Sequence, residues 1–284
     1  MKNISIILLL TIMVFTGCNS GKSNAKAHSS LTIKGSDTMV HLASNWAESY
    51  MNSYKDADIS VTGGGSGTGI AALLNGTTDI CIASRKIKDK EVKQAEKQGL
   101  DINEIIVSRD GIAVVINPEN PVSELTLEQI GKIYTGATTN WNQVGGSDAP
   151  IVLLSRESSS GTYVFFQKRV MNKKDYSQEA MLMPSTSAIV QSVSQDQWAI
   201  GYVGLGYAVE AADRVKPIQI LNKAGLSPVN ASVKTVKNGS YPIARPLHFY
   251  TNGDPVGLEK QFIEFCLSDA GQTIVFETGY VPVN

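Results

Sequence analysis

Histidine and cysteine are scarce. Three of each occur among 284 residues, and none sits in an HExxH, CxxC or acidic calcium-loop spacing, so the sequence lends no support to a metal site. His28 falls in a polar N-terminal stretch, His41 on a predicted helix and His248 on an apolar predicted strand, which gives a Ser-His-Asp triad little to draw on. A dominant charge is missing too. The 25 basic and 26 acidic side chains leave a formal net charge of -1, which argues against a nucleic-acid-coating surface or an acidic tail. Past the N-terminus no apolar run reaches about 18 residues, so the body of the chain is not expected to cross a bilayer. What remains, 42% apolar and 18% charged residues, is ordinary for a globular protein, and at roughly 150 residues per domain there is room for two cores.

The N-terminus has its own logic. Lys2 precedes an apolar stretch from Ile4 to Phe15, followed by Thr16, Gly17 and Cys18, the charged, apolar and small-residue order of a secretory signal. FTGC resembles a bacterial lipobox, in which Cys18 becomes the lipidated first residue, with Phe15 tolerated rather than preferred at its place. A signal cleaved without lipid is the alternative. Residues 19–30 carry no large apolar side chain and read as a tether. The reading is therefore a signal peptide over 1–17, a lipid-anchored Cys and tether over 18–30, and an exported protein on the extracytoplasmic face of the bacterial cell membrane. Cys81 and Cys266 lie in apolar runs and read as small buried hydrophobes; a bridge between them stays open.

From Leu31 onward, strand and helix patterns alternate: a strand at 31–34, helical periodicity from Val40 to Tyr54, a strand at 59–62, a helix at 70–74 and a strand at 79–83. The rhythm is α/β with a largely parallel sheet. The charges of Asp89–Gln98 read as a solvated helix face. GIAVVIN reads as a buried strand, and NPENP after it as a candidate crossing between domains. A second α/β unit follows, YPIARPLHFYT at 241–251 reads as a return strand, and two helical segments close the chain, placed back on the first domain.

Three distant segments share one design: GSDTM at 35–39, GGGSGTG at 63–69 and RESSSGTY at 156–163. In each a Gly, Ser and Thr loop opens a helix, which offers backbone N–H groups, hydroxyl donors and a positive dipole end to an oxyanion. A single such loop is more simply an N-cap. Three loops with Arg85 and Arg156 at strand ends favour the anion reading, since a guanidinium matches two oxygens of a phosphate. GGGSGTG lacks the GK[ST] ending of a nucleotide P-loop, and G-x-S-x-G fails by one position at Thr68.

Taken in order, GSDTM, GGGSGTG with ALLNGTTDI, IASRKI, DGIAVVINPENP, LTLEQIGKIYTGATTNW, SRESSSGTY and IGYVGLGY resemble the phosphate-binding proteins of bacterial ABC phosphate importers, across nearly the whole mature chain. The resemblance implies the α/β type II periplasmic-binding-protein fold: two lobes joined by two crossing segments, here 31–114 with 244–284 and 115–243, with phosphate in the interlobe cleft. It implies ligand contacts from Ser36 and Thr38, from Ser66, and from Arg156, Ser160, Gly161 and Thr162. Members of the family have Ser-Asp at the end of the third strand, where the Asp accepts the proton of hydrogen phosphate; this chain has Ser84-Arg85. A carboxylate acceptor repels unprotonated sulfate, so its replacement must be sought, and Asp37, balanced by Arg85, and Asp110 at the crossing are the candidates. Glu157 is placed to orient Arg156, or Asp37 and Glu157 serve only as helix N-terminal charges. The expectation is a monomeric, cofactor-free receptor, not an enzyme, with inorganic phosphate, permease subunits of an ABC importer and the membrane as partners and no nucleic acid. The alternatives are a receptor for sulfate or molybdate, a secreted Ser-dependent hydrolase, and a surface scavenger that works without a permease.

Overall fold

The structure, a computed structural model, describes residues 29–221 and 227–284; the expected signal peptide, Cys18, the tether and His28 lie outside them. The first lobe opens as β1 (Ser29–Gly35), α1 (Asp37–Ser53), β2 (Ala57–Thr62), α2 (Ser66–Leu74), β3 (Ile80–Ala83) and α3 (Asp89–Lys97). β1 lies between β2 and β3, parallel to both, as helical crossovers require. On α1, Met39, Leu42, Ala43, Trp46, Ala47 and Tyr50 are buried; their spacing of three and four makes one apolar stripe. The helix starts at Asp37 rather than Val40, because Asp37 supplies an acid for its first turn. α2 likewise begins inside GGGSGTG, at Ser66.

β4 (Ile102–Ile116) is the long strand of the fold, at 15 residues. Val107 belongs to the first lobe's core, with Ile33, Trp46, Ile82, Phe249 and Phe262. Farther along, Ile112, Val114 and Ile116 enter one cluster of the second lobe with Tyr134, Phe166 and Tyr202, and Ala113 and Val115 enter another with Leu154, Ile189 and Val203. Ile112–Ile116, the part of β4 within GIAVVIN that follows Gly111, is apolar throughout because this part of the strand is covered on both faces. The chain thus changes lobes around Asp110 and Gly111, a few residues before the 114/115 boundary that the sequence suggested. NPENP is not the crossing: Asn117 donates to Val193 O at 3.0 Å and Asn120 to Gln197 O at 3.2 Å, which ties that turn to the second lobe.

The second lobe continues through β5 (Glu124–Thr126), α4 (Leu127–Tyr134), a 3-10 turn at Trp141–Val144, β6 (Val152–Arg156), α5 (Gly161–Arg169), β7 (Met181–Met183), α6 (Thr186–Gln195), β8 (Ala199–Gly204), α7 (Leu205–Glu210), β9 (Lys216–Pro217), β10 (Gln219–Leu221) and α8 (Val233–Lys237). β11 (Ala244–Asn252) then returns, and α9 (Gly257–Leu267) and α10 (Asp269–Glu277) pack on α1, where Trp46 Nε1 donates to Gly271 O at 2.8 Å. The main sheet has the order β2-β1-β3-β11-β4-β8-β6-β7. β11 is antiparallel to β3 and β4 on either side of it. Two α/β lobes therefore share one sheet, joined through β4 and the start of β11. Cys81 and Cys266 are both buried and free, so the small-hydrophobe reading describes them and the bridge does not form.

Candidate anion-binding site

The starts of α1, α2 and α5 meet where the two lobes touch. Gly65, just before α2, has φ 100°, a conformation that suits glycine, and a Cβ there would lie 2.8 Å from Ser159 O. Its neighbour Gly67 donates its N–H to that same carbonyl at 2.9 Å. Ser66 Oγ accepts Ser84 N–H at 3.0 Å and lies 3.3 Å from Ser84 Oγ. From the opposite lobe, Gly161 approaches so closely that a Cβ on it would stand 2.3 Å from Ser66 Oγ and 2.7 Å from Ser84 Oγ. Thr38 and Thr162 hydroxyls bond across the lobes at 2.7 Å. Ser36, Thr38, Ser66, Ser84, Ser160 and Thr162 are all buried.

The capping alternative divides these residues. Ser160 caps α5, accepting the N–H groups of Thr162 and Tyr163 at 3.2 and 3.4 Å. Ser36 precedes α1 and makes no side-chain cap bond, and Ser66 spends its oxygen on Ser84 rather than on its own helix. Hydroxyls released from capping are free to face a ligand.

The charged groups depart from expectation. Asp37 does not pair with Arg85. Its Oδ2 accepts the N–H of Thr186 at 2.6 Å and stands 3.2 Å from Arg156 Nη1, so this carboxylate of the first lobe sits at the start of α6 in the second. The helix dipole and the buried guanidinium make that place attractive to an anion. Arg156 in turn donates to Met183 O, Pro184 O and Thr186 Oγ1 at 3.3, 2.9 and 2.9 Å, so most of its donors are engaged by the protein. Glu157 makes no ion pair with it; its N–H goes to Met183 O.

Arg85 instead makes a two-pronged bond to Glu91 at 2.8 and 2.7 Å. Glu91, three residues into α3, also takes the Lys88 N–H at 2.8 Å, the back-bond of a capping box, which is why this acid turns inward on a helix read as solvated. Burial acts to raise the Glu91 carboxyl, but the bonds from Arg85 and Lys88 outweigh it and hold the group below its ordinary value. A lowered folded value means that the stabilisation is present above the unfolded carboxyl's value of about 4.3 and is lost as pH falls through the folded one. Glu91→Gln is therefore expected to cost stability at pH 7 and much less at pH 3, as read by urea unfolding. An equal loss at both would separate Glu91 from Arg85.

Asp110 is fully buried at the lobe crossing. It accepts Leu205 N–H at 2.9 Å and bonds Arg245 at 2.8 and 3.2 Å. Burial raises its carboxyl, against the opposing pull of Arg245. Arg245 is the site residue that the sequence reading missed: an arginine inside the apolar run PIARPLHF, buried to 3% exposure. A charge in such a strand demands a partner, and that demand was its only signal.

The family model of the PBP superfamily domain matches residues 20–270. The chain belongs to this superfamily. The phosphate-binding protein PstS of Pseudomonas aeruginosa PAO1 is 33% identical over an alignment of 270 residues that covers 89% of this chain and 83% of that one. PstS of Bacillus subtilis strain 168 is 34% identical over 269 residues, covering 93% of this chain and 84% of the relative. Among solved structures, a phosphate ABC transporter substrate-binding protein with bound phosphate from Clostridium perfringens superposes with a TM-score of 0.81 at 32% identity, over 90% of this chain and 100% of that one. The type II periplasmic-binding fold of the superfamily is thus the fold of this chain.

Proposed function

We propose that this PBP-superfamily protein captures inorganic phosphate between its lobes and delivers it to an ABC importer, and that it performs no covalent chemistry. The observation that carries the reading is the meeting of three helix N-termini, with buried hydroxyls from both lobes, at Gly161, Ser66 and Ser84. Donors fixed in this way can hold a dehydrated anion without a full countercharge, and donors from both lobes couple closure to occupancy. The phosphate-binding relatives support the choice of anion. Ser36, Thr38, Ser66, Ser84, Ser160, Gly161 and Thr162 would line the ligand, with Arg156 contributing the N–H it has left. Calorimetric titration with phosphate, arsenate, sulfate and molybdate is the test: saturable binding of phosphate with sulfate excluded is expected, and turnover of a phosphate ester would instead favour a hydrolase.

One observation favours a second reading. Asp110 spends both carboxylate oxygens on protein donors, and Asp37 spends Oδ2, so of the two carboxylates only Oδ1 of Asp37 is left as a proton acceptor, and sulfate or molybdate would lose less here than at a site with a wholly free carboxylate. The same titration separates them.

The reading includes a diacylated Cys18 that holds the protein at the extracytoplasmic face of the membrane. Two acyl chains give the stable anchoring that a single chain does not. Cys18→Ser is expected to move the protein into the soluble fraction, and quantitative sedimentation of the variant with membranes in detergent-free buffer would refute the anchor.

A further inference from the structure

Arg245 stands at the start of β11, where the chain returns between lobes, and touches both of them. Its Nη1 donates to Ser84 O at 2.8 Å in the first lobe. Its Nη2 donates to Thr162 Oγ1 at 3.0 Å in the second, where its plane also lies 5.5 Å from the Phe165 ring. Asp110 holds it from β4 by two bonds to one oxygen.

We propose that Arg245 is a positioning residue for anion binding: held by Asp110, it orders the Thr162 and Thr38 hydroxyls so that the pair turns a proton toward the cleft. This rests on the reading that the cleft takes phosphate. A guanidinium only donates, so Thr162 Oγ1 must accept from Nη2. The two hydroxyl oxygens are 2.7 Å apart, close enough that one of their two protons lies between them. The other has no protein acceptor among the described residues. With one Thr162 lone pair taken and its rotor fixed, that remaining proton is a donor for an oxyanion. Without Arg245 the two hydroxyls still share one proton, but the vacated Thr162 lone pair is no longer held away from the cleft, and the pair presents a lone pair, which repels the ligand, as readily as a proton. A lysine would keep the charge opposite Asp110 but could not hold Asp110, Ser84 and Thr162 together with one planar fork. Because Ser84 and Thr162 belong to different lobes, the arrangement completes itself only on closure.

The test is a double-mutant cycle on phosphate affinity, measured by calorimetry on the wild type, Arg245→Lys, Thr162→Val and the double variant. Each single change is expected to weaken binding about tenfold or more, as loss of a charge-assisted hydrogen bond does. The double variant should be no more than about threefold weaker than the weaker single, because both interrupt one chain of bonds. Effects that multiply in full would overturn the proposal and leave Arg245 as a brace of the hinge alone. If Arg245→Lys does not fold, Asp110→Asn, which loosens the hold on Arg245, takes its place in the cycle with Thr162→Val: coupled losses support the ordered pair, and independent ones overturn it. A wild type that binds no phosphate would instead overturn the functional reading on which this one stands.

Discussion

Gly161→Ala is expected to abolish tight phosphate binding while each lobe stays folded. The added Cβ would meet Ser66 Oγ at 2.3 Å, Ser84 Oγ at 2.7 Å and Ser66 Cβ at 3.0 Å. A hydroxyl can rotate away, but the Ser66 Cβ moves only with the backbone of α2, so the lobes must stay apart. Overpacking of this kind costs about 1–3 kcal/mol, which taken wholly from closure is a loss of roughly 5- to 150-fold in affinity. Calorimetry with phosphate, alongside thermal unfolding of the unliganded variant, reads the two effects separately. An affinity within threefold of wild type would mean that α5 and α2 do not meet in the bound state.

Arg156→Ala is expected to cost more. It removes the partner of Asp37 across the cleft, takes the donors from Met183 O and Pro184 O, and frees the start of α6. Truncating one member of a buried, hydrogen-bonded charge pair costs about 2–5 kcal/mol, on the order of 30-fold to several thousandfold in affinity. Asp37→Asn is the informative companion. An amide oxygen still accepts from Thr186 while the charge opposite Arg156 is lost, so phosphate binding should weaken less than in Arg156→Ala. The phosphate-to-sulfate ratio should stay within about threefold, roughly 0.65 kcal/mol, since the bonds of Oδ2 to Thr186 and Arg156 turn the carboxylate toward the start of α6. A larger change in that ratio would return Asp37 to the ligand.

The three loops were legible in the sequence because Gly, Ser and Thr at the start of a helix have few structural alternatives and the pattern is local. The stripe on α1 and the two-sided burial of GIAVVIN were legible for the same reason, since period 3.6 and unbroken apolarity each report what covers an element. The ion pairs were not. Asp37 finds its partner on the other lobe, Arg85 finds Glu91 because a capping box turns one acid of a charged helix inward, and Arg245 meets Asp110 only after the chain has left the first lobe and come back. A charge announces that it needs a partner, but the fold decides which partner arrives.

The place of β11 also bears on the order in which the molecule can assemble. β11 is made of residues 244–252 yet fills the sheet between β3 and β4. Until those residues join, the strand edges that it will cover on both neighbours are bare, and α1 lacks the covering of α9 and α10. Apart from β4, which it borrows from the crossing, and Val281, which joins one of its clusters from the end of the chain, the second lobe is a single run of chain and carries its own apolar clusters. A chain emerging N-terminus first therefore has nearly all of its second lobe in hand before its first can be completed. For that interval the first lobe displays open edges, the feature that invites pairing with other chains, so truncation before β11 should produce aggregation rather than a smaller soluble protein.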